Sequence, residues 1–242
     1  TDIMNVYIGM RVFIIVILGL ILNVSIGNAQ YFSVSLREGV NIPMQKFKNE
    51  NAYSFPSLGV NVTMGADYMF SQFLGLGINT GYVYFYNNQE EATEQLASIT
   101  TSSGSRSAGS VSGGDYHLFK YTFSPLIGYT WEELGIGLKL MPEIGGLTLL
   151  SQKKDIEQHS QKRVQEIEGN TGLVYGLGAE VRYYIKSSYG IGFSLAWWQT
   201  QAFERKGEEI LYDDSIVIRR RDLLHTEIIT SFEGNIVLFY RF

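Results

Sequence analysis

The chain contains no cysteine, and this absence excludes disulfide bonds and thiol catalysis within its 242 residues. Proline is scarce, with 4 residues against 26 glycines, and aromatic, β-branched and glycine residues dominate most segments, which favours β-structure over helix. Only 3 histidines occur, and they are scattered along the chain, so they do not indicate a metal centre. The net charge of −5 lacks the basic excess of nucleic-acid-binding proteins, and we therefore expect no nucleic-acid partner.

Long hydrophobic runs are also missing, with one exception near the start of the chain. An apolar run extends from Val12 to Leu22, follows Arg11, and leads to small residues at Gly27 and Ala29. The run is shorter than the about 20 residues of a spanning helix, and the two small residues have the spacing of a signal-peptidase site. We expect residues 1–29 to be a signal peptide with upstream residues, and 30–242 to be one exported domain. A retained membrane anchor is the alternative.

In the rest of the chain, apolar and polar residues alternate. This alternation occurs in eight segments, at residues 31–37, 58–68, 73–86, 118–131, 134–146, 173–185, 189–198 and 235–242. In each segment an apolar face is opposed mostly by glycine, serine, threonine and charged residues. A period of two residues is typical of a β-strand. Within the fifth segment, Pro142 predicts a bulge.

The connections between the eight segments are alternately long and short, which is typical of an antiparallel barrel whose two rims face different compartments. A soluble sandwich or a soluble lipocalin-like barrel is the alternative. In those folds the larger residues face inward, whereas here the face opposite the apolar one is small and polar. The pattern therefore predicts an all-β fold, an eight-stranded antiparallel up-and-down transmembrane β-barrel.

This combination resembles the small outer-membrane β-barrels of Gram-negative bacteria, of the OmpA and OmpX type. The last segment adds to the likeness, because Ile236, Leu238, Tyr240 and Phe242 resemble the signal by which the barrel-assembly machinery recognises such barrels. The resemblance implies residence in the bacterial outer membrane, contact with its lipid and lipopolysaccharide, and binding to the assembly machinery during biogenesis. It implies no cofactor.

Charged residues on the small polar face are the candidate site. They are Asp67, Lys120, Lys139, Glu143, Glu180, Arg182, Glu233 and Arg241, four acidic and four basic. The interior of an eight-stranded barrel is just wide enough for side chains to fill it. We therefore expect these charges to form ion pairs that close the lumen, with bridges among Lys139, Glu143, Glu180 and Arg182. A gated ion path and a catalytic carboxylate cluster are the alternatives.

The histidines offer little support for catalysis. Some barrels of this size modify lipid A with a short His-x-Ser pattern, but His117 is followed by Leu118 and Phe119, and His159 directly precedes Ser160. We predict no catalytic, cofactor-binding or metal site.

The long connections are the candidate interaction surface. Residues 151–168 are expected to extend a hairpin beyond the membrane, and the arginines at 219–221 to contact lipopolysaccharide phosphates or to end a solvated strand. The predicted function is non-enzymatic, a structural or surface-interaction role through long outer loops, possible protein partners included. A lipid-modifying enzyme, a narrow pore and an accessory subunit of an envelope complex are the alternatives.

Overall fold

A computed structural model describes residues 31–44, 55–101, 109–158 and 161–242. The predicted signal peptide, residues 1–29, and His159 lie outside these residues. The strands are β1 (Tyr31–Pro43), β2 (Pro56–Met69), β3 (Leu74–Asn87), β4 (Gly109–Gly113), β5 (Tyr116–Trp131), β6 (Ile136–Leu149), β7 (Gln152–Gln158), β8 (Gln161–Ile167), β9 (Asn170–Lys186), β10 (Tyr189–Thr200), β11 (Phe203–Asp213), β12 (Ile216–Glu227) and β13 (Thr230–Arg241). One α-helix, α1 (Gln89–Thr101), follows β3, and a 3₁₀ turn (Glu132–Leu134) joins β5 to β6.

Eight of these strands close into a barrel in the order β1-β13-β10-β9-β6-β5-β3-β2. Every pairing in the barrel is antiparallel, and β1 closes it against β13, with Ser33 opposite Arg241 and Pro43 opposite Ser231. The eight strands correspond to the eight alternating segments in sequence order. The predicted eight-stranded antiparallel up-and-down barrel is therefore confirmed.

The outer surface of this barrel is apolar and its interior is polar through the middle of the barrel. On β2, for example, Val60, Val62 and Met64 are exposed, whereas Asn61 and Thr63 are buried. A soluble barrel has the opposite arrangement, because its exterior faces water. An apolar band around a closed barrel satisfies every backbone group internally and matches lipid, so the barrel is a transmembrane one. No helix in the part of the chain that the structure describes is long and apolar enough to cross a membrane.

The barrel strands are longer than the roughly ten residues expected from the alternating segments alone, and they run from 12 to 17 residues. The register of β6 against both β5 and β9 is the same on either side of Pro142, so the predicted bulge is wrong. That register places Pro125 of β5 opposite Pro142. Neither proline has an N–H to donate, and the β5–β6 pairing is interrupted there without an inserted residue.

A second, five-stranded sheet stands at one end of the barrel, in the order β12-β11-β8-β7-β4. We call it the outer sheet, and this end of the barrel the long-loop end. The hairpin of β7 and β8 continues from β6 and β9, and that of β11 and β12 continues from β10 and β13. The prediction that residues 151–168 extend a hairpin is confirmed.

Helix α1 packs beside the outer sheet. Asn88 begins it, since its Oδ1 accepts the Glu91 N–H at 3.3 Å and its Nδ2 donates to the Glu91 carboxylate at 3.2 Å. The first bond satisfies one backbone N–H that a helix start otherwise leaves unpaired, and the second joins the two side chains. The buried side of the helix contributes to a small core formed by Phe55, Ala92, Leu96, Val111 and Ile156.

Candidate functional site in the barrel lumen

Five charged side chains meet in the middle of the lumen, and we call them the five-charge cluster. They are Arg37, Asp67, Lys139, Glu180 and Arg182, all buried. Glu180 is the centre, because its carboxylate lies 2.8 Å from Arg37 Nε, 2.5 Å from Arg182 Nε and 3.2 Å from Lys139 Nζ. Asp67 Oδ2 accepts from Lys139 at 2.5 Å and from Arg182 at 2.9 Å. Each carboxylate is therefore bound by at least two cations.

Strand register explains part of this cluster. Lys139 of β6 lies directly opposite Glu180 of β9, and Arg182 is two residues further along the same strand. Arg37 and Asp67, in contrast, come from β1 and β2 on the other side of the barrel. They reach the cluster because the lumen is narrow enough for side chains from opposite walls to touch.

Polar neighbours complete the hydrogen bonding around the cluster. The Arg37 guanidinium also donates to Asn79 Oδ1 at 2.6 Å, and the Arg182 guanidinium donates to Ser33 Oγ at 3.0 Å. Buried charges are tolerated when they are both paired and hydrogen-bonded. Each of the five groups therefore has a partner of opposite charge.

A second group, the three-charge cluster, lies nearer the long-loop end. Lys120 Nζ is 2.7 Å from Glu233 and 3.8 Å from Glu143, so two carboxylates share one ammonium group. Trp198 Nε1 also donates to Glu233 Oε1, and Lys120 lies 5.3 Å from the centre of the Trp198 ring. Glu143 is the weakly held member, since one of its buried oxygens has no hydrogen-bond partner among the described residues.

The structure brings seven of the predicted lumen charges into these two clusters, and it places Arg241 elsewhere. Arg241 lies at the opposite, short-turn end, with its guanidinium 4.1 Å from the centre of the Tyr31 ring. Glu143 was expected to bridge to Lys139 and Arg182. Its carboxylate contacts Lys120 of β5 instead.

Arg37 is the lumen residue that sequence reasoning missed. Its signal was present, because Arg37 shares the strand parity of Ser33 and Ser35 on β1, and both serines face inward. With Arg37 in place of Arg241, the two clusters again contain four basic and four acidic groups. The lumen charge remains balanced at zero.

The lumen is closed by apolar side chains at its long-loop end, and we call this group the apolar plug. Its members are Val83, Phe85, Tyr116, Leu118, Leu147, Leu149, Val174, Trp198, Phe203 and Ile229. The lumen is therefore polar over only part of its length, which corrects the expectation of a polar lining throughout. These apolar side chains pack against one another at the inner side of the barrel, as they do in a soluble core.

A small cavity lies between the two clusters. The cavity between them, lined among others by Arg37, Lys120 and Glu143, has a volume of about 10 Å³, which is roughly the space of one water molecule. At the short-turn end, Met69, Leu126 and Met141 form a further small apolar group.

The outer sheet is tied to the barrel mouth by one buried arginine. Arg205 of β11 is 3.1 Å from the Glu227 carboxylate and 2.5 Å from Gln152 Oε1, and it donates to the backbone carbonyls of Leu150 and Glu168. Burial raises the pKa of Glu227 despite this pairing. Arg205 therefore joins β11 and β12 to the start of β7 and the end of β8.

Two further titratable groups lie in the same sheet. Burial lowers the pKa of Lys154 to about 8. Burial, with the nearby positive charges of Arg205 and Lys154, also lowers the pKa of His225. Both groups are therefore shifted towards their neutral forms.

Among the described histidines, His117 lies in a hydrogen-bonded aromatic group. His117 Nδ1 contacts the Tyr82 hydroxyl at 2.5 Å, and the nearby Asp115 accepts from Tyr84 at 2.7 Å. Tyr82, Tyr84 and His117 form an aromatic group on β3 and β5, and Asp115 lies just before β5. No group of three or more His, Asp or Glu within the described ranges is arranged to hold a metal ion.

No protein-family model matches the chain, and no curated protein matches its sequence. Solved structures are similar in fold. Ail, the attachment invasion locus protein of Yersinia pestis, is 11% identical with a TM-score of 0.44, over 88% of this chain and 99% of that one. A major outer membrane protein from Thermus thermophilus is 15% identical with a TM-score of 0.47, over 89% and 100% of the two chains. The outer membrane protein OprG from Pseudomonas aeruginosa is 11% identical with a TM-score of 0.44, over 89% and 97%.

Proposed function

We propose that this protein is a non-conducting, non-enzymatic barrel of the bacterial outer membrane that supports the outer sheet as a surface for interactions. The observation that carries the proposal is the filling of the lumen. A transport protein needs a wet path, and here the two charge clusters and the apolar plug occupy the interior. The part of the molecule left for function is the outer sheet with helix α1.

The location in the outer membrane is supported by the surface of the barrel. Its exposed apolar side chains would contact lipid, and lipopolysaccharide on the side of the outer sheet. Spanning strands with an internally satisfied backbone are the form in which sheets cross that membrane. The barrel-assembly machinery would insert such a chain.

Planar-bilayer recording of the purified protein tests the closed lumen. We expect no stable conductance above the baseline. As a matched pair, the variant Leu118→Ser with Leu149→Ser opens the apolar plug to water, whereas Leu138→Ser changes only the lipid-facing side. Stable channels in the unmodified protein would overturn the closed-lumen proposal in favour of the narrow pore.

Tag accessibility tests the orientation separately. A short epitope inserted after Gly109, in the outer sheet, should be reached by antibody on intact cells. An epitope at Ser187, in the tight turn between β9 and β10, should be reached only after the outer membrane is permeabilised. The reverse labelling would place the outer sheet in the periplasm.

A further inference from the structure

Strand β12 is an exposed edge of the outer sheet. It pairs with β11 on one side and with no described strand on the other. The opposite edge, β4, has 5 residues, whereas β12 has 12. All residues from Ile216 to Asp222 are exposed, and Leu224 is exposed as well. Alternate residues of an edge strand direct their N–H and C=O groups away from the sheet, so β12 presents a long row of these groups.

The usual protections of an edge strand are largely missing here. Edges are commonly blocked by short strands, by charged side chains, by proline or by bulges, and of these β12 has the charged side chains. β12 contains no proline, and its register with β11 is regular from Arg219 to Glu227. The only irregularity lies at the tip of the hairpin, beside Ile218. An edge of nine residues in regular register therefore remains, from 219 to 227, and it is continuously exposed from 219 to 222.

Charge is the one feature that restricts what can pair with this edge. Arg219, Arg220 and Arg221 follow one another. Because successive strand residues point to opposite faces, Arg219 and Arg221 share one face, whereas Arg220 shares the other face with Asp222. Arg220 is 3.6 Å from Glu208, but both side chains are largely exposed, and such a pair contributes little. Within the described ranges, Arg219 and Arg221 take part in no salt bridge. The three guanidinium groups are available to carboxylates of a partner.

We propose that β12 is a docking edge that accepts an extended acidic segment of a partner protein as an additional β-strand. Main-chain hydrogen bonds would hold the segment, and charge-assisted bonds from the arginines would select acidic sequences. A second copy of this chain fits the edge less well, because antiparallel pairing of two β12 strands centred on Arg220 opposes three arginines to three arginines, and like charges directly opposite are unfavourable. The proposal rests on the proposed role of the outer sheet as an interaction surface, for which it names the partner class.

The probe for this proposal is a short fluorescent peptide of alternating Glu and Thr, with a Lys and Thr peptide of equal length for comparison. Binding to the full-length protein in detergent is measured by fluorescence anisotropy. We expect the acidic peptide alone to bind. The variant Arg219→Glu, Arg220→Glu, Arg221→Glu should weaken its binding by about tenfold or more, which is the loss of at least one strong charge-assisted bond.

Two controls separate strand addition from general attraction. The variant Lys153→Glu, Lys162→Glu, Lys206→Glu makes the same change in net charge on β7, β8 and β11, and it should bind like the unmodified protein. An acidic peptide with N-methyl groups on every amide retains its charge but has no main-chain N–H to donate from either edge, and it should not bind.

The proposal is overturned by equal binding of the N-methylated peptide, by equal loss in the lysine variant, or by no binding of the acidic peptide. Sedimentation that shows self-association through β12, without peptide binding, would assign the edge to a second copy. None of these results would alter the conductance or the tag accessibility. Those two measurements therefore test the proposed function independently of the docking edge.

Discussion

The guanidinium of Arg37 lies 2.8 Å from the carboxylate of Glu180, and this contact joins β1 to β9 across the lumen. The two strands are separated in the barrel by β13 and β10. Lys139 of β6 and Arg182 of β9 contact the same carboxylate from the side of the barrel on which Glu180 lies. Glu180 therefore connects opposite walls of the barrel, and its loss would leave three buried cations with less compensation.

Replacement of Glu180 by alanine is expected to destabilise the barrel by about 3–5 kcal/mol, the usual cost of breaking a buried ion pair from one side. Urea unfolding in lipid vesicles measures the change. Glu143→Ala is the matched control, because Glu143 has a single, longer contact of 3.8 Å with Lys120. It should cost clearly less. Equal losses, or conductance that appears in Glu180→Ala without destabilisation, would contradict the structural role of the cluster.

The two faces of β6 should respond oppositely to charge. Leu138 has 41% of its surface exposed on the lipid side, whereas Lys139 is 4% exposed and faces the lumen. Leu138→Arg should destabilise the barrel by about 2–4 kcal/mol if the residue lies near the bilayer midplane. Lys139→Arg retains the positive charge and should cost less. The same unfolding measurement decides this, and the reverse order would contradict the assignment of faces.

The predicted assembly signal, Ile236, Leu238, Tyr240 and Phe242, lies at the lipid-facing side of β13, where all four side chains are exposed. Deletion of Tyr240 to Phe242 should leave the protein in the periplasm, where it is degraded. Because this deletion also removes pairing with β1, Phe242→Ala is the sharper variant. It should assemble poorly in cells yet refold normally in detergent, as judged by heat-modifiable gel mobility. Normal assembly of both variants would show that these terminal residues are not needed as an assembly signal.

The stability of the outer sheet should depend on alkaline pH through Lys154. Burial lowers its pKa from 10.5 to about 8, so the ammonium form is favoured in the unfolded chain. Stability should therefore rise as the pH increases from 8 to 10.5, by up to about 3 kcal/mol in total. Calorimetry across this range measures the effect. Lys154→Met should remove the difference between the two pH values, and an unchanged dependence in that variant would assign it to other groups.

The eight barrel strands, their faces and their order follow from the sequence alone. An apolar residue at every second position forces one face towards lipid, and a shift of one residue would reverse both faces, so the register is strongly specified. Alternation of long and short connections then leaves few ways to close eight antiparallel strands. Helix α1 and strand β4 were not specified in this way, because short segments in long connections are decided by what they pack against.

The sequence by itself also determined which charges face the lumen, since parity places Asp67, Lys139 and Glu180 on the inner face. Which of them pair was decided by the tertiary structure. Arg37 and Glu180 are 143 residues apart, and only the closed barrel brings the side chains of opposite walls within hydrogen-bonding distance. Arg241 has the correct parity, but its position at the end of β13 leaves it at the rim against Tyr31. Parity specifies the direction of a side chain, whereas its depth and its partner depend on the strand stagger set by closure.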